Sequence, residues 1–131
     1  MKSWPGGIST VTLFVEDLGL ARQFYLSAFD LPIVFEDDDS IVFKVGETLV
    51  NLLKISAAPE LIEPAPVASR EAGARMQLTI DVDDVDARCI ELNTRGVELL
   101  NGPINRPWGV RTAAFQDPAG HTWELAGPIK K

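Results

Sequence analysis

The stretch Thr12-Leu13-Phe14-Val15-Glu16-Asp17-Leu18 returns in kind as Thr79-Ile80-Asp81-Val82-Asp83-Asp84-Val85, at a constant offset of 67 from residue 12 to residue 79. Within a chain of 131 residues, a repeat of that size leaves room for two copies of one supersecondary unit and little more. Each copy alternates side chains with the period of a strand and then sets an aspartate before an amphipathic stretch. Strand, N-cap and helix are therefore expected twice.

In the first copy, Ile8–Val15 puts Val11, Leu13 and Val15 on one face and Thr10, Thr12 and Phe14 on the other. After Asp17, the residues Ala21, Phe24, Tyr25, Ala28 and Phe29 form a helical stripe. Pro32–Glu36, Ile41–Val45 and Thr48–Lys54 read as strands, parted by turns at Asp37-Asp38-Asp39 and Gly46-Glu47. Residues 55–74 hold Pro59, Pro64 and Pro66 with no clean period and are expected to be a surface linker.

The pattern then restarts. Met76–Val82 alternates, Asp83 or Asp84 caps a helix with Val85, Cys89 and Leu92 inward, and Gly96 suits the residue that ends it. Val97–Leu100 is a short strand broken at Gly102-Pro103. Val110–Phe115 and Thr122–Ala126 pair around Asp117-Pro118-Ala119-Gly120. The expected fold is α+β: one domain, residues 1–131, made of two βαβββ modules at 8–54 and 75–127. A sheet with one helix has one face left over, and two such faces curling together make a curved mixed sheet around a cup-shaped cavity.

Charge limits the partners. Nineteen Asp and Glu against twelve Lys and Arg leave a net charge of -7, and the isoelectric point is near 4.6. Nucleic-acid binding draws its affinity from clustered Lys and Arg, which are scattered here, so no nucleic acid is expected. The densest charge run, Glu36-Asp37-Asp38-Asp39, reads as a solvated turn. No apolar run reaches the roughly 18 residues of a membrane span, so no membrane partner is expected. Met1-Lys2-Ser3-Trp4-Pro5-Gly6-Gly7 has no secretory-type apolar stretch, and the single cysteine, Cys89, allows neither an intrachain disulfide nor a cysteine-based metal site. A cytoplasmic location is expected. Cys89 itself has helix-stripe spacing and reads as a buried, inert thiol.

With both halves laid out, the chain resembles the vicinal oxygen chelate superfamily of glyoxalases, extradiol dioxygenases and bleomycin- and fosfomycin-resistance proteins. The residues that carry the resemblance are Val11 to Leu18, Phe24-Tyr25, Val82-Asp83-Asp84-Val85-Asp86, Trp108-Gly109-Val110-Arg111, and Asp117-Pro118-Ala119-Gly120-His121-Thr122-Trp123-Glu124-Leu125. It covers residues 8–127. It implies the paired-module fold, and it implies a homodimer, which would also cover exposed sheet edges.

In metal-dependent members of that superfamily, four strand positions point ligands into the cup. The resemblance carries the first, usually His, onto Thr10, and its equivalent in the second copy onto Gln77. The carboxylate of the last strand falls on Glu124. The fourth position falls on Asn51 or, with a slip of one residue, on Val50; alternation favours Asn51, since Val50 and Leu52 read as core. One carboxylate among Thr, Asn and Gln is a poor match to a catalytic zinc or a non-haem iron, so neither metal nor other cofactor is expected. His121, the only histidine, lies in the turn before the final strand and reads as an exposed hairpin residue.

The expected ligand-binding residues are thus Thr10, Asn51, Gln77, Trp108, Arg111 and Glu124. Glu124 is the candidate for any catalysis. Trp108 is a stacking platform or a loop plug. Arg111 pairs with Glu124, holds an anionic ligand, or is a surface or dimer-interface charge. Phe14, Phe43 and Phe115 line the cup or belong to the core, and Trp123 packs under a helix. Asp81 and Asp83 to Asp86 form an acidic cluster at a helix N-terminus. The resemblance is strongest in function to the bleomycin-resistance-like, metal-free branch: a small-molecule binding protein, of antibiotic-resistance type, that sequesters a cationic or aromatic compound. The alternatives are a glyoxalase- or dioxygenase-like enzyme (lyase, isomerase or oxygenase) with a diverged metal site, and a partner-binding module.

Overall fold

Parallel strands cannot be joined by a tight turn, so the chain between them must cross over through other elements. The computed structural model, which describes residues 6–131, shows that crossover twice. Met1–Pro5, part of the segment on which the leader expectation rests, lie outside the described residues. In the first copy, β1 (Thr10–Val15) leads into α1 (Leu18–Phe29), then β2 (Ile33–Glu36), β3 (Ser40–Val45) and β4 (Thr48–Lys54). The strand order is β1-β4-β3-β2. β4 returns parallel to β1, with Thr12 opposite Asn51 and Leu13 opposite Leu52, and the remaining pairs are antiparallel.

A short α2 (Pro59–Ile62) follows. Then β5 (Gln77–Asp81), α3 (Val85–Thr94), β6 (Leu99–Asn105), β7 (Arg111–Gln116) and β8 (Thr122–Gly127) repeat the sequence of elements. Their order, β5-β8-β7-β6, matches the first sheet, with β5 and β8 parallel. The fold is α+β, two βαβββ modules with four-stranded mixed sheets. Two compact units result, one ending at Ala68 and the other beginning at Ser69.

The repeat has a direct physical meaning at the helix starts. Asp17 accepts a hydrogen bond from the Leu20 amide at 3.0 Å, and Asp84 from the Ala87 amide at 3.1 Å. The same cap occupies the same place in both copies and satisfies an amide with no helical partner. At the far end of α3, the Gly96 amide reaches the Asn93 carbonyl at 3.0 Å and the Val97 amide the Leu92 carbonyl at 2.9 Å. Gly96 makes this closure with φ 84°, which glycine adopts at little cost. Inward of the caps, Ala21, Tyr25 and Ala28 are buried on α1, and Leu13, Val15, Phe43 and Leu52 are buried on its sheet. Tyr25 stacks on Phe29 at 5.7 Å and meets Phe43 at 5.8 Å, tying α1 to β3. In the second unit Val85, Cys89 and Leu92 are buried on α3, with Phe115, Trp123 and Leu125 buried on the sheet.

Four local expectations need correction. β1 begins at Thr10, the first residue with a partner on β4, and Ile8 is exposed. β6 is not broken at Gly102-Pro103; it runs through them to Asn105, with irregular register between Leu99 and Asn101 and again before Ile104. An edge strand needs hydrogen bonds on one side only, so it tolerates a proline. The segment 55–74 is largely exposed and holds the boundary between the units, as a surface linker does, but it carries local structure: Ile55–Ala57 and Arg70–Ala72 are 3-10 turns flanking α2. Within it Ala58 is fully buried, and Arg70 donates to the Pro118 carbonyl at 3.0 Å.

The fourth correction concerns Arg111. It shares a strand face with Ala113 and Phe115, the face toward α3, so it does not pair with Glu124. Its Nε and Nη2 donate to the two carboxylate oxygens of Asp86, each at 3.0 Å. Nη1 donates to Asn105 at 3.2 Å, and Lys130 adds a contact to Asp86 at 3.3 Å. The guanidinium of Arg111 holds the Asp86 carboxyl below the usual carboxylate range. The acidic cluster thus divides its labour: Asp84 caps α3 and Asp86 clamps it to β7. Among the described residues no helix is long and apolar enough to cross a membrane.

Two tests follow from this architecture. At Gly102, φ is 85° and an added Cβ would lie 2.8 Å from the Ala113 Cα. Gly102→Ala is expected to destabilise the chain by at least about 1–3 kcal/mol in urea unfolding. Gly109→Ala, at φ 97° with open space around it, should cost less. The second test is of pH. Because the folded Asp86 carboxyl titrates low, its contribution is present above the unfolded value of about 3.9 and is lost as pH falls through the folded value. Asp86→Asn should lower the melting temperature at pH 7, and the gap from the parent should close below about pH 4. A gap constant down to pH 2 would contradict the clamp.

Candidate functional site

Opposite its helix, each sheet carries a second face, and its central parallel seam is polar in both units. In the first unit Asn51 donates through Nδ2 to the Thr12 hydroxyl at 3.4 Å. The Asn51 Oδ1 is buried and has no hydrogen-bond partner among the described residues. Val50 is buried on the helix face. Thr10 lies one pair farther along the same face, opposite Leu49, and is exposed. Thr10 and Asn51 are therefore not hydrogen-bonded neighbours.

The second unit repeats the arrangement with a charge. The Thr79 hydroxyl donates to Glu124 Oε1 at 3.0 Å across the β5–β8 seam. Gln77 sits opposite Thr122 and is exposed. Glu124 is half-buried and forms no ion pair among the described residues. A carboxylate offers about four acceptor sites, and one of them is used. Thr12 and Thr79 thus hold the polar side chains of the seam. Sequence reasoning passed over both, although they are the polar residue common to the repeated heptad.

One register row orders the rest of this face: Asn101 lies opposite Ala114, Ala114 opposite Glu124, and Glu124 opposite Thr79. Beyond Asn105, whose register partner is Arg111, the chain turns from β6 to β7 through residues 106–110. The Arg106 amide donates to the Val110 carbonyl at 2.7 Å, and the Gly109 amide to the Arg106 carbonyl at 3.1 Å. Trp108, at the turn's tip, is 70% exposed and plugs nothing.

Arg106, which sequence reasoning also missed, is the residue this turn delivers to the face. Its Nε donates to the buried Thr112 hydroxyl at 2.9 Å and its Nη2 to Asn101 at 3.0 Å. The guanidinium carbon is 5.9 Å from the Trp108 ring centroid, within cation–π range. The available signal was the Arg106-Pro107-Trp108-Gly109 turn, whose direction depends on the strand pairing around it.

Other candidates drop out on geometry. His121 is half-buried rather than exposed. It belongs to a turn organised by the buried Asp117, whose carboxylate accepts from the Ala119 amide at 2.9 Å and the His121 amide at 2.8 Å. Cys89 is buried on the inner stripe of α3, and burial pushes its thiol pKa up, away from nucleophilic use. Phe43 and Phe115 are core, and Trp123 is buried under α3. The seam residues do not fit the metal that the superfamily's metal-dependent members hold. The first seam offers a hydroxyl and an amide and the second a hydroxyl and a carboxylate, where zinc or non-haem iron takes imidazoles with a carboxylate. No group of three or more His, Cys, Asp or Glu side chains among the described residues is placed to hold a metal ion.

Comparison with known proteins agrees with this architecture. The profile of the Glyoxalase/Bleomycin resistance protein/Dioxygenase superfamily matches residues 7–125. The uncharacterized protein YraH of Bacillus subtilis is 31% identical over 119 residues, 88% of this chain and 93% of that protein. Among solved structures, TnmS3, an antibiotic binding protein from Streptomyces sp. CB03234, is similar at 25% identity with a TM-score of 0.74, covering 98% of this chain and 100% of that one. A lactoylglutathione lyase from Agrobacterium tumefaciens, 22% identical, superposes with a TM-score of 0.75 over 94% of each chain. By sequence and by fold, this chain belongs to the glyoxalase/bleomycin resistance protein/dioxygenase superfamily.

Proposed function

We propose that this chain is a small-molecule binding protein that holds an aromatic or cationic compound without a metal, in the manner of an antibiotic-sequestering protein. One observation carries the reading: an exposed Trp108 ring on the β6–β7 turn and a half-buried Glu124 on β8, in no ion pair among the described residues, belong to the same unit. A planar ring stacks on the indole, and a cationic group completes the carboxylate's unused acceptors. The orphan Asn51 Oδ1 supports the same reading in the other unit, since a buried acceptor with no partner is costly unless something donates to it. The likeness to the antibiotic binding protein TnmS3 points the same way.

In this proposal Gln77, Trp108 and Glu124 line or flank the ligand on the second unit, where Thr79 positions Glu124; Thr10 and Asn51 are the candidate contacts on the first unit, where Thr12 positions Asn51. Arg111 is left to its clamp on Asp86. The proposal includes a homodimer: Phe35 on β2, and Leu100 and Ile104 on β6, are exposed apolar residues on edge strands. A cytoplasmic setting is also part of it, since a chain with one buried cysteine draws no stability from an intrachain disulfide and so needs no oxidising compartment. Neither nucleic acid nor membrane is among the proposed partners, given the net charge of -7.

Binding of 9-aminoacridine, a planar cation, tests the reading. Tryptophan fluorescence is expected to respond to it, and the response should fade in Trp108→Leu. Glu124→Gln should weaken binding by about 1.5–3 kcal/mol, the scale of a charge-assisted hydrogen bond. A panel of planar cations, neutral aromatics and aromatic acids producing neither fluorescence change nor thermal shift would overturn the reading and favour a partner-binding module. Elemental analysis finding about one zinc, iron or nickel per chain after dialysis would favour the enzyme instead. Separately, sedimentation at micromolar concentration is expected to show a dimer, and a monomer would refute that part of the proposal.

A further inference from the structure

The two arginines of the second sheet are in opposite electrostatic situations. Arg111 is spent: both oxygens of Asp86 and the Asn105 side chain take up its fork. Arg106 is half-buried and makes no ion pair among the described residues. Its two side-chain bonds go to the neutral acceptors Thr112 and Asn101. A guanidinium has five N–H donors, so three remain, two of them on Nη1. A positive group fixed by neutral acceptors, with donors to spare and an open aromatic ring beside it, is suited to hold an anionic ligand.

Its position says what kind. The bonds to Thr112 and Asn101 fix the plane of the fork, so little side-chain freedom is lost when the remaining donors engage an anion. A carboxylate matches that fork geometrically. Trp108 lies 5.9 Å from the same guanidinium and is 70% exposed, which sets an open aromatic surface directly beside the anion-binding donors. Glu124 stands two strands away in the register row through Ala114, roughly 10 Å at ordinary strand spacing. The two opposite charges do not neutralise each other by contact.

We propose that Arg106 anchors an acidic group of the ligand, so that the compound held against Trp108 is a planar aromatic acid, and a zwitterion where it also meets Glu124. This rests on the reading of the face as a ligand site and adds to it the charge the ligand must carry. An anion approaching an acidic chain is repelled overall, so its recognition depends on this one guanidinium and is sensitive to its replacement.

The test compares 2-naphthoate, its uncharged isostere 2-naphthamide and the cation 2-naphthylmethylammonium, by isothermal titration calorimetry on the full chain. The naphthoate is expected to bind at least tenfold more tightly than the amide. Arg106→Gln should bring the two within twofold, whereas Arg88→Gln, which removes an equal charge from the exposed surface of α3, should retain the preference. Arg106→Lys keeps the charge without the fork and should retain only part of it; this variant decides the matter if Arg106→Gln fails to fold by circular dichroism. Equal affinity for naphthoate and amide, or a preference that survives both Arg106 substitutions, overturns this inference and leaves the ligand site standing. Absence of binding for all three compounds at millimolar concentration overturns the ligand site as well.

Discussion

Everything in this chain depends on a strand pairing that no turn can make. β1 and β4, like β5 and β8, run parallel, so the chain must travel through a helix and an antiparallel pair before it can close each seam. That excursion lays one helix on one side of each sheet and leaves the other side without one. The polar residues gather where the constraint is tightest. Thr12 with Asn51 and Thr79 with Glu124 are register partners across the two parallel seams. These seam residues are thus held by backbone ladders on both strands, a firmer mounting than loops provide.

The two units spend the same framework differently. Asp17 and Asp84 cap their helices by the same bond, and the sheet orders coincide. The faces away from the helices have diverged. In the first, an amide meets a hydroxyl, with Phe14 and Leu53 as register partners alongside. The second carries a carboxylate, a fixed guanidinium and an exposed indole. A duplicated scaffold keeps its caps and core because each copy must fold, whereas nothing in folding requires the polar faces to agree.

Alternation and cap chemistry made the fold legible from residues alone. Leu13 and Val15 are buried with Phe14 between them only half-buried, and the buried stripe of α3 is Val85, Cys89 and Leu92. The errors came where local pattern competes with pairing. Gly102-Pro103 looks like a break until β7 lies beside it and β6 proves to be an edge. His121 looks exposed until the carboxylate of Asp117 gathers its turn. Thr10 and Gln77 came from the resemblance, whereas Thr12 and Thr79 became visible only through the register that sets them opposite Asn51 and Glu124.

The amino-acid order by itself determined two βαβββ copies, their helix starts and the inward faces. Those properties follow from period, capping and side-chain chemistry, which act within a few residues. Only the tertiary structure decided which arginine is without a carboxylate partner among the described residues. Arg106 and Arg111 are five residues apart on one hairpin and chemically identical. Register turns Arg111 toward Asp86 on α3 and Arg106 toward Thr112 and Asn101 on the opposite face. A charge is neutralised or left available according to what lies across from it, and that is set by strands far apart in the chain.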